Sequence, residues 1–590
     1  MWIVCCLLSV GCMIAAGLLA LALCSRHKPN LLNLLFAGVF AASVFLFLPI
    51  HLSGAGGTLG ESFRALLLSV LGAIQIFAVG CDFQTVTEGT ALLSDGFSAF
   101  YRLWGAVLFV LGPVLTFGFV LSLFKNLTSS LRYLFVYGKE LCAFSALNEK
   151  SLCLASDLKR NHPKTAIVFA DVSDEAEGSA ERIERAKKLG AVCFSADLAS
   201  VMRRRHSASR KVSLFAIGEN ESESTDLSLR LIEICRGRAG TNLYVFSAGL
   251  ESELLLNAVD KGALRVRRIN ETSALVNRLL YERGNQLFDS AQENADGTKS
   301  ICAVVVGMGS HGTEMLKALA WYGQMDGYTL EIHAFDRDPL AAERFSALAP
   351  ELMSPAYNGV RIDGEAQYKI VIHAGVDVTT ASFAKEIRAL GHATFATVSL
   401  GDDETNIRTA VNLRMLFEQN RIHPVIQSIV YNPRQKNALE GIRNFRGQPY
   451  DVQFFGDVES SFTEDVMLDS ALEEEALQRH LKWGDEAEFW NYEYNYRSSV
   501  ASALHRLARI HCGIAGADKQ ESELTEQERQ TIETLEHRRW NAYMRANGYI
   551  YSGSKDKSTR NDLAKMHHDL IDYASLTEEE KRKDSRVGTR

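Results

Sequence analysis

A glycine-rich turn at residues 307–312 is the clearest chemical motif in the sequence. The letters GMGSHG follow an apolar run and precede a helix-like stretch, so Gly307, Gly309 and Gly312 have the spacing GxGxxG. In that arrangement the first glycine permits a tight turn, the second lets backbone N–H groups approach a pyrophosphate, and the third lets helix and strand pack closely. The motif predicts a binding site for NAD or another adenine nucleotide.

Other side chains near the glycine turn complete this candidate site. Asp336 ends the next apolar run, where a carboxylate can accept a hydrogen bond from a ribose hydroxyl. Ser310, His311 and Arg337 lie next to these groups in the sequence. His311 has no evident acid to orient it, and no GxSxG, HExxH or Walker sequence is present, so no catalytic residue is predicted. The alternative is a fold that keeps its packing glycines and binds nothing.

A second set of candidate ligand residues lies in the stretch LEHRRWNAYMRANGYIYSG near the C-terminus. Its aromatic rings offer flat surfaces on which a base can stack, its arginines can hold phosphates, and its histidine can supply a hydrogen bond. The alternative is that the rings belong to the core and that the arginines form a solvated face. The candidate residues are His537, Trp540, Arg545, Tyr549 and Tyr551, with Arg538, Arg539 and Lys555 as further cations.

The elements around the glycine turn alternate between strands and helices. Apolar runs such as TAIVFADV and YTLEIHAFD are separated by stretches such as SAERIERAKKLG. This alternation predicts βαβ units and a parallel sheet. Because the same order occurs twice, residues 131–290 and 299–435 are predicted to form two Rossmann-like, doubly wound parallel sheets.

An internal duplication supports the two-sheet prediction. Leu214–Glu233 parallels Thr397–Glu418, since in each a strand ends in glycine, acidic or amide residues follow, and a helix begins. The first copy is predicted to have a strand ending at Gly138, but it lacks the second and third glycines. We therefore expect the first copy to serve dimerisation or coupling rather than standard dinucleotide binding.

This duplicated region, about 131–435, resembles the nucleotide-binding half of potassium-channel regulator (RCK) domains, also called Trk-N domains. The resemblance rests on the repeated strand and helix order and on the glycine turn. It implies a Rossmann sheet, dimeric assembly, and coupling of a cytoplasmic ligand to a membrane pore.

Residues 495–585 are predicted to form a small α-helical domain. Arg497–Ile514 has a helical apolar period, and a second helix begins at a capping box of Thr525 and Glu528 and ends near Gly548. The segment resembles the RyR domain, a module named for the ryanodine receptor. The resemblance rests on Glu536, His537, Trp540, Gly548, Tyr549, Tyr551, His568, Leu570, Tyr573, Leu576, Glu578, Glu580, Lys581 and Asp584.

Residues 1–124 are strongly apolar, with only eight charged residues up to Leu123. About four membrane-spanning helices of ~20 residues are predicted here, or three with a re-entrant third segment. The basic residues Lys125, Arg132 and Lys139 follow the last run, which favours a cytoplasmic C-terminal region and a multi-pass protein of the inner or plasma membrane. The four runs are Trp2–Cys24, Leu31–Leu52, Phe63–Gly80 and Leu103–Leu123.

Composition narrows the choice of partners. The net charge of −8 is spread over 590 residues and gives no sign of a nucleic-acid duplex as partner. The 11 cysteines include no CxxC pair, so neither a metal site nor a disulfide framework is predicted.

These features predict a membrane-anchored, nucleotide-sensing protein. The expected partners are membrane lipid, a nucleotide, and further copies of the chain in a dimer or tetramer. Ligand binding to the RCK-like or RyR-like region is expected to alter a transmembrane ion pathway, either in potassium transport or in an antiviral effector that answers a second messenger. The alternatives are a membrane-bound NAD(P)-dependent oxidoreductase and a non-binding dimeric scaffold.

Overall fold

The computed structural model describes the chain in eleven segments, which fall into two compact units, Met1–Phe135 and Val136–Arg590. The described segments are 1–24, 31–54, 56–80, 82–135, 140–173, 178–203, 211–218, 220–359, 368–441, 443–468 and 471–588.

The first unit is helical, and all four predicted apolar runs are confirmed as helices. Within the described residues, four helices are long and apolar enough to cross a membrane. A helix suits such a segment because it satisfies every backbone N–H and C=O internally. The unit also contains one short helix that the sequence did not predict. Its helices are α1 Trp2–Cys24, α2 Leu31–Ser53, α3 Leu59–Phe77, α4 Gln84–Gly89 and α5 Asp95–Phe135.

Small residues and a few polar contacts hold these helices together. The hydroxyl of Ser9 donates to the carbonyl of Ala42 at 2.7 Å and accepts from the indole N–H of Trp104 at 2.8 Å. A Cβ on Gly112 would lie 2.6 Å from Ile76, so only glycine allows α3 and α5 to approach this closely. Such close contacts are typical of helix packing in lipid.

The second unit begins with a six-stranded parallel sheet in the order β3-β2-β1-β4-β5-β6, the strand order of a nucleotide-binding Rossmann fold. Its strands are β1 Leu141–Phe144, β2 Ala166–Phe169, β3 Val192–Cys193, β4 Val212–Ala216, β5 Thr241–Phe246 and β6 Arg265–Ile269. Its helices are α6 Glu149–Asn161, α7 Ser179–Lys188, α8 Leu198–Arg203, α9 Glu221–Cys235, α10 Leu250–Ala258 and α11 Glu271–Arg283.

The first strand is not where the sequence placed it. The apolar residues up to Phe135 continue α5, because no proline or glycine interrupts the end of that run, and the fully buried strand is Leu141–Phe144. The prediction of a strand ending at Gly138 is therefore wrong, and Gly138 itself lies outside the described residues. The turn that corresponds to the glycine motif is the segment 145–148.

The second sheet repeats the same order, β10-β9-β8-β11-β12-β13, with β7 antiparallel to β8 at its start. Strand β13 pairs with β12, so the sheet continues to Phe455, beyond the boundary placed at 435. Its strands are β7 Gln292–Glu293, β8 Lys299–Val306, β9 Tyr328–Asp336, β10 Tyr368–Ala374, β11 Phe395–Val398, β12 Val425–Ile429 and β13 Val452–Phe455. Its helices are α12 Gln286–Asp289, α13 Ser310–Tyr322, α14 Ala341–Leu348, α15 Ala381–Ala389, α16 Asp403–Gln419 and α17 Pro433–Glu440.

The duplication is visible in hydrogen bonds as well as in topology. Asn220 caps α9 and Asp402 caps α16, each through its side-chain oxygen. The next residue is an acid in both copies. Glu221 accepts from the N–H groups of Ala248 and Gly249, and Asp403 accepts likewise from the loop after β12. The paired sequences therefore make the same contacts in both sheets.

The C-terminal region packs on both sheet domains rather than standing apart: Phe462 and Met467 join the core of the first sheet domain, and the later helices pack on the second. One continuous core contains Leu316 and Leu319 of the second sheet domain together with Leu504 and Met544 of the C-terminal helices. Its elements are α18 Val458–Ser461, α19 Glu464–Met467, α20 Ala471–His480, α21 Glu486–Asn491, α22 Glu493–His511, α23 Glu526–Ala546, β14 Ile550–Tyr551, β15 Met566–His567 and α24 Glu578–Gly588, with 3-10 turns at Glu521–Glu523, Lys557–Thr559 and Tyr573–Ser575.

Candidate functional site

The glycine turn has the geometry that its spacing predicts. Gly307 has φ +91°, and a Cβ there would lie 2.3 Å from the carbonyl oxygen of Ser399. A Cβ on Gly312 would lie 1.7 Å from the carbonyl oxygen of Gly307. Both positions therefore exclude any side chain, because the turn and the helix pack in direct backbone contact.

Gly309 differs from the other two glycines because the space beside it is open. Its φ of −66° suits any residue, and no atom of the described residues lies within 4 Å of a Cβ built there. It precedes α13, and no side chain caps that helix. The first N–H groups of a helix attract anions, so this uncapped start has room for a phosphate.

The equivalent turn of the first sheet is already filled by side chains. Asn148 accepts from the N–H of Ser151 at 2.8 Å, and the hydroxyl of Ser151 accepts from the N–H of Asn148 at 3.0 Å. These bonds satisfy the helix start that a phosphate would otherwise use. The geometry favours an anion at the second copy over the first.

Asp336 supports the glycine turn itself. Its carboxylate accepts from the N–H of Met308 at 2.6 Å and from the N–H of Asp338 at 2.7 Å. Each oxygen keeps a second lone pair for a ribose hydroxyl. Ser310 and Arg337 are exposed at the rim of the turn.

His311 is half-buried next to the turn, and its Nε2 atom has no hydrogen-bond partner within the described residues. Burial, with a smaller contribution from Lys150, lowers the pKa of His311. The imidazole is therefore neutral near pH 7. No hydrogen bond to a carboxylate orients it, which gives no support to a role as a general base.

The C-terminal module contains a cavity of about 350 Å³ between α22, α23 and the segment 557–584. Its wall combines aromatic rings with basic and acidic groups, which is the mixture that recognises a nucleotide. The charged and aromatic residues of the wall are Trp483, Tyr494, Glu536, His537, Arg539, Trp540, Lys557, Arg560, His567, His568, Asp569, Glu580, Lys583 and Asp584.

Trp540 is the central aromatic group of this cavity. Its indole N–H donates to the hydroxyl of Tyr494 at 3.3 Å. The ring of His567 meets it edge-on with centroids 4.9 Å apart, and the ring of His537 stacks at 5.7 Å. His537 in turn contacts the carbonyl of Ile571 through Nε2 at 2.8 Å. These contacts hold the indole in one orientation at the cavity wall.

Positive charge is concentrated beneath the cavity. Glu536 is 1% exposed, and its carboxylate forms ion pairs with both Arg539 and Arg509, which are 2% and 0% exposed. Burial alone would raise the pKa of Glu536, but the two guanidiniums outweigh it and lower that pKa to about 2. Burial and neighbouring arginines lower the pKa of Arg509 to about 10.

A second carboxylate, that of Glu475, contacts Arg479 and Arg506 in the same buried layer. Each of the two glutamates therefore contacts two arginines. Guanidinium groups close to a cavity favour a negatively charged ligand in it.

Acidic groups also line the cavity, and hydroxyl donors could bind to them. Burial and the nearby Glu580 raise the pKa of Asp569. His567 accepts the N–H of Asp569 at its Nδ1, which places the proton of a neutral ring on Nε2. His567, His568 and Asp569 have ligand atoms within 4.8 Å of one another. Because His567 has no free lone pair in this tautomer, the trio does not fit a metal ion.

Only two of the five predicted C-terminal ligand residues, His537 and Trp540, line the cavity. Arg545 is fully buried, lies 3.7 Å above the ring of Tyr357, and contacts Glu351 at 3.3 Å. The backbone N–H of Tyr551 donates to the same Glu351 at 2.7 Å. Arg545 is five residues after Trp540, which places it on a different face of the helix.

Tyr549 is also not one of the residues that line the cavity. It is 9% exposed and packs near the ring of Tyr494, with centroids 6.3 Å apart. Tyr549 and Tyr551 pack with the core that joins the C-terminal module to the second sheet, and Arg545 contacts that sheet domain through Glu351. The prediction that these three bind the same ligand as Trp540 is not supported by their positions.

Several cavity residues were missed because they come from outside the helix that carries Trp540. Tyr494 lies one residue before the predicted domain boundary at 495, in the aromatic run FWNYEYNY. Arg560, His567 and Lys583 lie in segments without a clear periodic pattern. The high density of aromatic residues just before position 495 was the one feature of the sequence from which Tyr494 could have been added to the predicted site.

Comparisons with known proteins leave the family open. No family model matches the chain, and no curated protein matches it. Four solved chains match, among them the crystal structure of a mutant of GsuK, with 15% identity, a TM-score of 0.32, and coverage of 76% of this chain and 96% of that chain. A match at this level supports no conclusion about function, and the RyR resemblance stays a prediction.

Proposed function

We propose that this chain is a membrane-anchored nucleotide sensor. A nucleotide binds in the C-terminal cavity beside Trp540, and its binding changes the packing of the second unit. The four apolar helices of the first unit pass this change to the membrane and alter an ion pathway. The second unit lies in the cytoplasm, and the protein acts as a homo-oligomer.

The cavity is the observation that carries this proposal. Trp540 offers a fixed aromatic face for a base, which is worth about 1–3 kcal/mol in stacking. The arginine layer below Glu536 favours phosphate, and Lys557 and Arg560 add charge at the rim. Asp569 can accept from ribose hydroxyl groups. A single nucleotide would use all three kinds of group.

Helix α23 provides the route from the cavity to the second sheet. Trp540 lies at the cavity, whereas Arg545 on the same helix contacts Glu351 of the sheet domain. The neighbouring helix, α22, contacts that domain through His505, whose Nε2 lies 2.5 Å from the carbonyl of Gln324. A ligand that binds one position of α23 more tightly than another would shift these contacts.

A second nucleotide can bind at the glycine turn. The open space at Gly309 and the uncapped start of α13 support NAD or another adenine nucleotide there. An oxidoreductase is less well supported, because His311 has no orienting acid. Substrate-dependent NADH consumption that is lost in Asp336→Ala would reverse this ranking.

Binding to the full-length protein in mild detergent tests the proposal. Isothermal titration with AMP, ATP, NAD, ADP-ribose and a cyclic dinucleotide is expected to find at least one ligand for the wild type. Trp540→Ala should weaken the binding of that ligand about 5- to 150-fold, because it removes about 1–3 kcal/mol of stacking. Tyr551→Ala is the matched control, since it removes an aromatic ring outside the cavity.

A rim cation gives a second variant. Arg560→Gln changes an exposed residue that pairs with Asp562 and lies over the ring of Tyr494, and it should weaken the binding of a phosphate-bearing ligand. If none of these nucleotides binds, or if Trp540→Ala and Arg560→Gln both bind like the wild type, the cavity is not the sensor site.

A further inference from the structure

A second, smaller cavity of about 70 Å³ lies where three parts of the second unit meet. The start of α11 contributes Ser273 from the first sheet domain, α13 contributes Lys317 from the second, and the C-terminal module contributes Arg497 of α22 and Asn547 at the end of α23. A cavity of this size has room for several waters or one small ion, but not for a nucleotide.

The wall of this junction cavity is predominantly cationic. It contains four basic side chains and two carboxylates, those of Glu314 and Glu493. Both carboxylates already have partners. Glu314 accepts from the hydroxyl of Ser273 at 2.7 Å, and Glu493 accepts from the guanidinium of Arg268 at 2.8 Å. Arg267 and Arg268 have further carboxylate partners in Glu473 and Glu253, so Lys317 and Arg497 are the basic groups of the wall without a close acidic partner among the described residues.

Lys317 is the group left over. It makes no hydrogen bond or ion pair with any residue that the structure describes, although it is partly buried in the cavity wall. Burial lowers the pKa of Lys317, and the nearby cations of Arg497 and Lys565 lower it further against the opposing effect of Glu314. A partly buried ammonium without a partner is unfavourable, and an anion at hydrogen-bond distance would remove that cost.

Two other donors in the wall are incompletely used. Arg497 lies 3.5 Å from Glu314, 3.8 Å from Glu493 and 3.4 Å from the amide oxygen of Asn547, all at or beyond the long end of a hydrogen bond. The Nε atom of Arg267 is buried with no partner within the described residues. The wall thus contains donors from different parts of the fold whose hydrogen-bonding capacity is not fully used.

We propose that the junction cavity binds a small tetrahedral oxoanion of the phosphate or sulfate class. Lys317 and Arg497 hold it through charged hydrogen bonds. The bound anion links the first sheet, the second sheet and the C-terminal module, and so stabilises one arrangement of the three. This site is separate from the nucleotide cavity and does not depend on the proposed function.

Hydrogen exchange and calorimetry with inorganic phosphate, at constant chloride and ionic strength, test the site on the full-length protein in detergent. Phosphate should bind the wild type and slow exchange at the start of α11, in α13 and around 497 and 547. Sulfate should compete with it. Absence of binding by both anions, or protection confined to α23 and 557–584, would overturn the proposal.

Variants separate the junction cavity from the nucleotide cavity. Lys317→Gln should weaken the binding of phosphate at least tenfold, because a charged hydrogen bond is lost. Lys369→Gln, which removes a lysine paired with Glu331 on the surface, should leave phosphate binding unchanged. Trp540→Ala should also leave it unchanged. If Trp540→Ala lost phosphate binding and Lys317→Gln retained it, the anion would bind in the nucleotide cavity, and the assignment to the junction cavity would be refuted.

If Lys317→Gln does not fold, Arg497→Gln provides the second variant with the same expectation. The wild-type footprint does not depend on either variant, so the proposal is decided even if both fail to fold.

Discussion

Replacing Glu536 by glutamine should destabilise the C-terminal module strongly. Glu536 is 1% exposed, accepts a hydrogen bond from Arg539 and forms an ion pair with Arg509, and both arginines are equally buried. Glutamine keeps the shape and one acceptor oxygen but removes the charge. Breaking a buried pair by removing one partner costs about 3–5 kcal/mol, because the remaining charges stay buried without compensation.

Hydrogen exchange of the α23 amides in the full-length protein measures this cost. A loss of about 3–5 kcal/mol corresponds to exchange faster by roughly 100-fold or more. Glu526→Gln is the matched control, because it makes the same substitution in the first turn of the same helix at a side chain that is 92% exposed. The control should change the free energy of opening by less than about 0.5 kcal/mol.

Equal exchange in the two variants would refute the reasoning. It would mean that the arginine layer does not rely on Glu536, and the argument that its guanidinium groups favour an anion would lose its basis.

Two further predictions concern proton binding and the glycine turn. Burial lowers the pKa of His505 to about 3, whereas its pKa in the unfolded chain is near 6.5. Between these two pH values the unfolded state binds more protons than the folded state. The free energy of unfolding therefore falls as the pH decreases through that window, by up to about 1.4 kcal/mol per pH unit. After correction for the intrinsic pH dependence of exchange, the α22 amides of the wild type should therefore exchange faster as the pH falls below 6.5. In His505→Gln this pH dependence should be weaker, and an equal dependence in both proteins would contradict the prediction. Gly309→Ala should fold normally and lose anion binding at α13, whereas Gly312→Ala should fail to fold, because its Cβ would lie 1.7 Å from a carbonyl oxygen. Monodispersity and NAD titration check both variants, and a well-folded Gly312→Ala would show that the turn is not packed as described.

The architecture was largely predictable because its patterns are local. Long apolar runs predicted the four helices, and alternation of strands and helices predicted both sheets. The capping box of Thr525 and Glu528 is present at the start of α23, and Gly548 has the positive φ expected just after its end. The error at Gly138 arose because an uninterrupted apolar helix and a short buried strand have the same composition.

The glycine turn could be derived from sequence, whereas the C-terminal cavity could not be derived in full. The roles of Gly307, Gly309 and Gly312 depend on spacing within one turn. The partners of Trp540 come from α22 and from the segment 557–584, which only the tertiary structure brings together. The contacts of Arg545 and Tyr551 with Glu351 are likewise formed only in the tertiary structure. The residue types suggested that both bind a ligand, but they pack against the second sheet domain instead.

Ion flux from liposomes that contain the full-length protein tests the central claim most directly. The nucleotide found by titration should change the flux of potassium or another small ion in the wild type, with a half-maximal concentration near its binding constant. Trp540→Ala should shift that concentration upward by the same factor as its loss of affinity. A flux that is absent under all conditions, or that responds equally in wild type and Trp540→Ala, would contradict the account.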